Sequence, residues 1–210
     1  MITDKKIAVI GHTKGLGKLV FENLQELGND VSGFSKSLGY DISDAEDRQS
    51  IVKKSSECDV IINNAYNFDA WDDAQMHMLM DLYGRHYSDW NTMNMSRTGN
   101  DKVLLINIGS TIDQYSDELF ATKNIYLDDE QKHYRRTKNN VNNFCLDKQI
   151  CNIKFGPIKS GLTLNQAGLD NAFDPEVMYN AMLFLMDNYF NRDGLFVYNL
   201  ELSWQKDKNG

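Results

Sequence analysis

The sequence predicts one doubly wound α/β domain, with a parallel sheet of about seven strands covered by helices on both faces. Three observations support this fold class. Short apolar runs typical of buried strands alternate with longer segments of helical period. A glycine-rich turn joins the first strand to the first helix, and 210 residues are an ordinary length for one domain. Strands alternating with helices imply crossover connections, a parallel sheet and a three-layer αβα arrangement.

The first half of the chain carries four predicted strands. Residues 6–10 form a continuous apolar run, as expected of a strand buried on both faces. Apolar residues from 16 to 27 follow a helical period that Gly28 ends. For the next helix, Ser43 is the expected N-cap, with Glu46 at the capping-box position. The remaining elements are a strand at 31–34, a third short strand ending at 41–44, a helix through 51–52 and a strand at 59–62.

The second half continues the alternation. Pro175 suits the first turn of a last helix, which Asp174 opens. The sequence shows no internal repeat or linker, so residues 1–210 are expected to form one domain. The predicted elements before and after Pro175 are a long helical region over about 71–96, a strand at 102–106, a helix over about 130–146, a strand at 150–155 and a closing strand at 195–200.

Composition narrows the class of protein. The chain has 22 basic and 30 acidic residues, a net charge of −8, which disfavours partners such as nucleic acid and anionic membrane surfaces. No apolar run approaches the roughly 20 residues of a spanning helix, and the start leads into a strand pattern, not a signal peptide. Cys58, Cys145 and Cys151 include no CxxC pair, so no disulfide framework or metal site is expected. We expect a cytoplasmic protein.

The turn after the first strand is a candidate nucleotide-binding turn. Its place between a strand and a helix lets backbone N–H groups and the helix dipole receive a phosphate. A P-loop is excluded, because His12 stands five residues before Gly17 and Leu19 follows Lys18. The alternative is a tight turn with no ligand, and His12 is expected to face solvent or a phosphate. The turn reads Gly11-His12-Thr13-Lys14-Gly15-Leu16-Gly17.

Motifs along nearly the whole chain resemble those of the short-chain dehydrogenase/reductase family. The turn matches the family pattern Thr-Gly-x3-Gly-x-Gly, with Ile10 in place of Thr. The resemblance implies a Rossmann-like fold that binds a nicotinamide dinucleotide. The further matches are Asp41-Ile42 beside the adenine, Asn63-Asn64-Ala65-Tyr66 for Asn-Asn-Ala-Gly, Ser110 after the fifth predicted strand, Tyr134-x3-Lys138 on a predicted helix, and Gly156-Pro157-Ile158 for a Pro-Gly turn with its residues swapped.

The choice of cofactor follows from charge. A site that prefers NAD places an acid at the end of the second strand, whereas a 2′-phosphate requires cations there. Ser35 and Lys36 stand at that place, and Lys14 adds a second positive charge. We therefore expect NADP(H) over NAD(H), the alternative being two solvated lysines. The expected cofactor contacts are Gly11, Thr13, Lys14, Gly15, Leu16, Gly17, Ser35, Lys36, Asp41, Ile42, Asn63, Asn64, Ala65, Tyr134, Lys138, Pro157 and Ile158.

The expected catalytic group centres on Tyr134 and Lys138. Four residues apart on a helix, they share one face, and a nearby ammonium lowers the pKa of a phenol that ordinarily titrates near pH 10. The resemblance implies that Tyr134 is the general acid or base, Lys138 its partner and a ribose ligand, and Ser110 a donor to the developing oxyanion. It also implies a proton-relay place for Asp81, where the family carries Asn. The alternative is a surface tyrosine and an ordinary turn serine.

Several residues depart from the family pattern. Tyr66 replaces a glycine beside the nicotinamide side of the site, and 111–130 is an acidic insertion that would be a solvated loop, a lid or a partner surface.

These observations leave two functions open. The first is an NADP(H)-dependent carbonyl reductase or related oxidoreductase acting on a small-molecule carbonyl or alcohol. The alternative is a catalytically impaired NADP-binding sensor or scaffold. A homodimer or homotetramer is possible in either case.

Overall fold

Six parallel strands form one sheet in the computed structural model, which describes residues 2–66, 73–87, 103–111, 129–148, 150–156, 174–191 and 199–202. The predicted doubly wound parallel fold is confirmed, with six described strands against about seven expected. In chain order the strands are β1 (Lys6–Ile10), β2 (Asp30–Phe34), β3 (Val60–Asn63), β4 (Leu104–Ile108), β5 (Cys151–Phe155) and β6 (Asn199–Leu202). Their order across the sheet is β2-β1-β3-β4-β5-β6, and all pairs are parallel.

Five α-helices of the described part of the chain lie on the two faces of the sheet. One face packs against the first and last helices, and the other packs against the three between them. This division arises because alternate side chains of a strand point to opposite faces, so each apolar strand supplies both layers. The helices are α1 (Gly15–Glu26), α2 (Ala45–Lys54), α3 (Ala74–Tyr87), α4 (Asp129–Lys148) and α5 (Pro175–Asn191).

The central strands are buried on both sides. In β1, Ile7 and Val9 pack toward α1 and α5, whereas Ala8 and Ile10 pack toward α2, α3 and α4; all four side chains are fully buried. The order of the strands reverses between β1 and β3, because the chain runs outward to β2 and then returns past β1. The carboxyl ends of strands at such a reversal form a crevice in which doubly wound proteins bind ligands.

One predicted strand and one predicted cap are wrong. Residues 41–44 form turns, because the Asp41 carboxylate accepts a hydrogen bond from the Ser43 backbone N–H at 3.0 Å, an Asx contact that favours a turn over a strand. Asp44, not Ser43, is the N-cap of α2. Its carboxylate accepts from the N–H groups of Glu46 at 2.9 Å and Asp47 at 3.0 Å.

The other predicted elements are present with shifted ends. The helix expected over 71–96 is described from Ala74 to Tyr87, and the closing strand expected at 195–200 is Asn199–Leu202. Most of the acidic insertion lies outside the described residues, which include only 111, 129 and 130 of that part of the chain. None of the described helices is long and apolar enough to cross a membrane.

The corrected cap gives a prediction. Asp44→Ala removes the acceptor for two N–H groups of the first turn of α2, so the free energy of unfolding should fall by about 1 kcal/mol. Ser43→Ala should cost less, because the Ser43 hydroxyl bonds Asp41 and does not cap the helix. Urea denaturation followed by circular dichroism measures both variants. An equal loss in the two would contradict the assignment of Asp44 as the cap.

Candidate active site

The glycine turn lies directly against the end of β3. Gly11 has a φ of +86°, and a Cβ atom there would lie 2.7 Å from the Cα of Ala65. A Cβ atom on Gly17 would collide with the carbonyl oxygen of Gly11. The side chain of Asn64 donates to that same carbonyl at 3.1 Å. The predicted contacts Gly11, Gly17, Asn64 and Ala65 therefore meet at one point, and only glycine permits this approach.

The N-terminus of α1 opens beside this contact. Thr13, Lys14 and Gly15 are exposed, whereas Leu16 is buried under the helix. Lys14 is the N-cap residue, but its side chain makes no capping hydrogen bond, and the first turn contains no acid. The first N–H groups of a helix have no partner within the helix, and an anion satisfies them well. This end of α1 fits a phosphate.

His12 differs from its predicted position. Its side chain is 9% exposed, and its ring lies 4.7 Å from that of Phe21 and against Gly33. A side chain on Gly33 would occupy the place of the imidazole. His12 therefore packs between α1 and β2 and is largely shielded from solvent, because Gly33 has no side chain and leaves room for the ring.

The two residues at the end of β2 that are expected to select NADP(H), Ser35 and Lys36, have different surroundings. Ser35 is buried, with its hydroxyl 3.0 Å from that of Ser37. Lys36 is exposed, and its ammonium lies 2.9 Å from the Asp41 carboxylate. Partial burial raises the pKa of Asp41, but the Ser43 N–H and the Lys36 ammonium outweigh this and hold the pKa below its usual value. Two predicted adenine-side contacts, Lys36 and Asp41, thus form an ion pair, with Ile42 buried beside them.

Tyr134 and Lys138 lie together on α4, as their spacing predicts. The Lys138 side chain is only 4% exposed, and its Nζ lies 5.3 Å from the centroid of the Tyr134 ring. Tyr66 joins them: its ring is edge-on to Tyr134 at 4.8 Å, and Lys138 Nζ is 5.0 Å from its centroid. The ammonium is therefore close to two phenol rings, an arrangement that favours its charged form.

Ser110 follows β4 at the same edge of the sheet. It is partly buried and comes two residues after Ile108, whose carbonyl oxygen accepts from Lys138 Nζ at 3.3 Å. Gly109 between them donates its N–H to the Ile153 carbonyl at 2.8 Å, which fixes the end of the strand. The structure thus brings the end of β4, which Ser110 follows, next to Lys138 and Tyr134 of α4. The fourth residue expected to be catalytic, Asp81, lies elsewhere.

The residue of α3 that contacts Lys138 is Gln75, which the sequence reasoning missed. Its Oε1 accepts from Lys138 Nζ at 2.6 Å, and its Nε2 donates to the Ile108 carbonyl at 3.1 Å. Asp81, expected in the relay, instead forms a 2.8 Å ion pair with Arg48 of α2. One sequence signal could have identified Gln75: it is a polar residue at the start of an otherwise apolar buried stripe of α3, which continues with Met78, Leu79 and Leu82.

A row of buried asparagines lies beneath this group. Asn63 of β3, Asn107 of β4 and Asn152 of β5 stand at paired positions of neighbouring strands. Asn63 donates to Asn107 at 3.0 Å, Asn107 to Asn152 at 2.8 Å, and Asn152 to Asn142 of α4 at 3.2 Å. The row lies on the face of the sheet that α3 and α4 cover, because Asn63 also donates to the Gln75 carbonyl and Asn152 bonds Asn142.

Two predicted cofactor contacts, Pro157 and Ile158, lie outside the described residues. Within the described part of the chain, no group of three or more His, Cys, Asp or Glu side chains is placed to hold a metal ion.

Comparison with known proteins identifies the fold. No protein-family model and no curated protein sequence matches the chain. Among solved structures, it resembles a 3-ketoacyl-(acyl-carrier-protein) reductase from Brucella melitensis complexed with NADH, with a TM-score of 0.64 and 14% identity over 95% of this chain and 97% of that one. It also resembles a 3-alpha-hydroxysteroid dehydrogenase from a Pseudomonas species complexed with NADH, with a TM-score of 0.64 and 15% identity over 93% and 95%.

A third similar structure is a short-chain dehydrogenase from Burkholderia cenocepacia in complex with NADP, with a TM-score of 0.59 and 14% identity over 96% of this chain and 89% of that one. The resemblance to short-chain dehydrogenases/reductases is thus confirmed at the level of the fold, over nearly the whole length of these chains.

The glycine contact gives a second prediction. Gly17→Ala forces a methyl group against the Gly11 carbonyl and Asn64. The free energy of unfolding should therefore fall by about 1–3 kcal/mol. Gly84→Ala is the matched control, because Gly84 also lies in a helix but has no atom within 4 Å of its would-be Cβ. It should stabilise the protein by up to about 1 kcal/mol. Denaturant titrations measure both, and a Gly17→Ala variant as stable as the native chain would refute the contact.

Proposed function

We propose that this chain is a divergent short-chain dehydrogenase/reductase that acts as a nicotinamide-dependent oxidoreductase on a small-molecule carbonyl or alcohol. The observation that carries the proposal is the meeting of Tyr134, Lys138 and the end of β4 at the carboxyl edge of the sheet, beside the glycine turn. A general acid next to a buried cation suits proton transfer, and an adjacent open helix N-terminus suits a dinucleotide phosphate.

The described residues fit the proposed cofactor. Thr13, Lys14 and Gly15 stand exposed at the uncapped N-terminus of α1 and would hold the phosphates. Asp41 and Ile42 would border the adenine. Asn64 and Ala65 would border the middle of the dinucleotide, because they lie against the turn. The solved structures of similar fold that contain NADH or NADP support this assignment.

The chain's own residues would manage the proton and the substrate oxygen. A bound nicotinamide supplies or accepts the hydride. Tyr134 would give a proton to the substrate oxygen in reduction, or remove one in oxidation. The Lys138 ammonium, close to the Tyr134 ring, would favour the phenolate form that accepts the proton. Ser110 would donate a hydrogen bond to the same oxygen as negative charge develops on it.

We further propose a preference for NADP(H), with Lys14, Ser35 and Lys36 as the residues that select it. Lys36 already has a partner in Asp41, at 2.9 Å. Because the Lys36 side chain is 65% exposed, this pair is weak and a phosphate could displace or share it. Selection of NADP(H) then depends on competition between a 2′-phosphate and the Asp41 carboxylate for one ammonium.

A second candidate function has a specific observation behind it. Tyr66 stands edge-on to Tyr134 at 4.8 Å, on the side where the resembling family carries a glycine. If the ring holds that place when a dinucleotide is bound, it would obstruct the nicotinamide. The chain would then bind NADP(H) as a sensor or scaffold without turnover.

The proposed role of Tyr134 gives a third prediction. Tyr134→Phe should lower turnover by at least about a hundredfold, since general acid–base catalysis contributes on that scale, and should leave NADPH binding unchanged. Tyr179→Phe is the control, a partly buried tyrosine that packs on the opposite face of the sheet. NADPH oxidation against a panel of aldehydes, ketones and quinones measures turnover, and calorimetry measures binding.

The outcomes separate the two candidate functions. Turnover lost only in Tyr134→Phe supports the oxidoreductase. Binding without turnover by the native chain supports the sensor, and Tyr66→Gly should then restore turnover if the ring is the obstacle. A folded protein that binds neither NADPH nor NADH would refute both.

The cofactor preference gives a fourth prediction. Lys36→Ala should weaken NADPH binding up to about fivefold while leaving NADH binding unchanged, because an exposed charge pair is worth up to about 1 kcal/mol. Asp41→Asn should have the opposite effect, since it removes the negative charge that competes with a phosphate for Lys36 and still offers an oxygen to the Ser43 N–H. Calorimetric titrations with both dinucleotides check this. Equal affinities of the native chain for NADH and NADPH would overturn the preference.

A further inference from the structure

Lys138 is held by two polar acceptors before any ligand is considered. An ammonium has three N–H donors. One is directed to Gln75 Oε1 at 2.6 Å and another to the Ile108 carbonyl at 3.3 Å. At most one more donor is therefore available for the Tyr134 hydroxyl, a ribose or any other group. Both bonds have a charged donor, and the contact with Gln75 at 2.6 Å is the shorter of the two.

Gln75 is itself fixed on three sides. Its Nε2 donates to the Ile108 carbonyl at 3.1 Å, and its backbone carbonyl accepts from Asn63 Nδ2 at 3.3 Å. Two residues before Gln75, Asp73 accepts from the hydroxyl of Thr137 at 3.0 Å. The start of α3 is thus bound to α4 through Thr137 and Lys138, two consecutive residues. With 1% of its surface exposed, Gln75 has no room to swing away.

We propose that Gln75 is a positioning residue, which holds the Lys138 ammonium at the end of β4 so that its charge acts on Tyr134. An effect of Gln75 on turnover rests on the proposed function. Its effect on the position of the Lys138 ammonium, and through it on Tyr134, does not. Because an amide carries no charge, Gln75 fixes the ammonium without offsetting its field. A carboxylate at the same place would hold Lys138 equally well and weaken its attraction for a phenolate.

Other titratable groups surround Lys138 among the described residues. They are Tyr66 after β3, Asp73 before α3, and Tyr134 and Cys145 on α4. A second buried lysine, Lys154 of β5, is also 4% exposed. Burial raises the pKa of the Cys145 thiol, and the Lys138 charge opposes that rise. These residues are the same in the native protein and the Gln75 variants. A difference in Tyr134 titration or Lys138 reactivity between them is therefore due to the change at position 75.

The test titrates Tyr134 in the protein without ligand. Tyrosinate absorbance is followed through the alkaline range, and the Tyr134 signal is the difference between each protein and the same protein carrying Tyr134→Phe. Gln75→Glu should raise the Tyr134 midpoint by about one pH unit, because the carboxylate offsets the neighbouring ammonium. Gln49→Glu is the control: it makes the same change of net charge at an exposed site of α2 and should leave the midpoint unmoved.

A second measurement follows Lys138 directly. Gln75→Met keeps the size and neutrality of the side chain but removes the acceptor. Acylation of Lys138 by a lysine-selective reagent, quantified by mass spectrometry, should become several-fold faster, while Lys154 should react as before. This variant also carries the test if Gln75→Glu fails to fold, which thermal denaturation would reveal.

The results keep the two proposals apart. An unmoved Tyr134 midpoint in folded Gln75→Glu, or unchanged acylation in Gln75→Met, overturns the role of Gln75 even if the protein turns over substrate. A shifted midpoint and faster acylation in a protein without turnover support the role of Gln75 and contradict the proposed enzyme. If Gln75 only stabilised the fold, both variants would lose thermal stability, but the Tyr134 titration midpoint would not move.

Discussion

The burial of the Lys138 ammonium is the constraint on which the rest of this end of the molecule depends. A charge removed from water is costly unless hydrogen bonds replace its hydration. Gln75 and the Ile108 carbonyl supply these bonds. Beside these bonds, Asn63 and Asn107 form a hydrogen-bonded row that extends to β5 among otherwise apolar strand residues. The row faces α3 and α4, so the polar network occupies one face of the sheet.

Local features of the site were predictable from sequence. Tyr134 and Lys138 share a face because they are four residues apart on a helix, and nothing distant alters that geometry. The glycine turn was predictable for the same reason, since Gly11 and Gly17 are required by close backbone contacts within a strand–turn–helix unit and its neighbour β3. Alternating apolar runs fixed the order of strands and helices, and the two-sided burial of β1, β3 and β4 confirms that interpretation.

Features that depend on distant contacts were not predictable. Asp81 stands at the position where a family pattern suggests a relay residue, but Arg48, thirty-three positions earlier, pairs with it. Gln75 reaches Lys138 across sixty-three positions, and only the packing of α3 on α4 brings them together. The choice between Ser43 and Asp44 as N-cap was close to degenerate in sequence. Asp44 is the cap because the Asp41 carboxylate forms hydrogen bonds with Ser43.

Lys36 and Lys138, at opposite ends of the candidate site, are held by their partners in physically different ways. Lys36 pairs with Asp41 at the surface, where water competes with the pair and makes it easy to exchange. Lys138 is bonded to an amide in a dry environment, where breaking the bond leaves a buried charge unsatisfied. A ligand can therefore replace the partner of Lys36 but must adapt to the partners of Lys138. Under the proposed function, recognition of the dinucleotide's outer end would be adjustable by single surface substitutions, whereas the proposed proton-transfer end would be set by the packing of α3, α4 and the sheet.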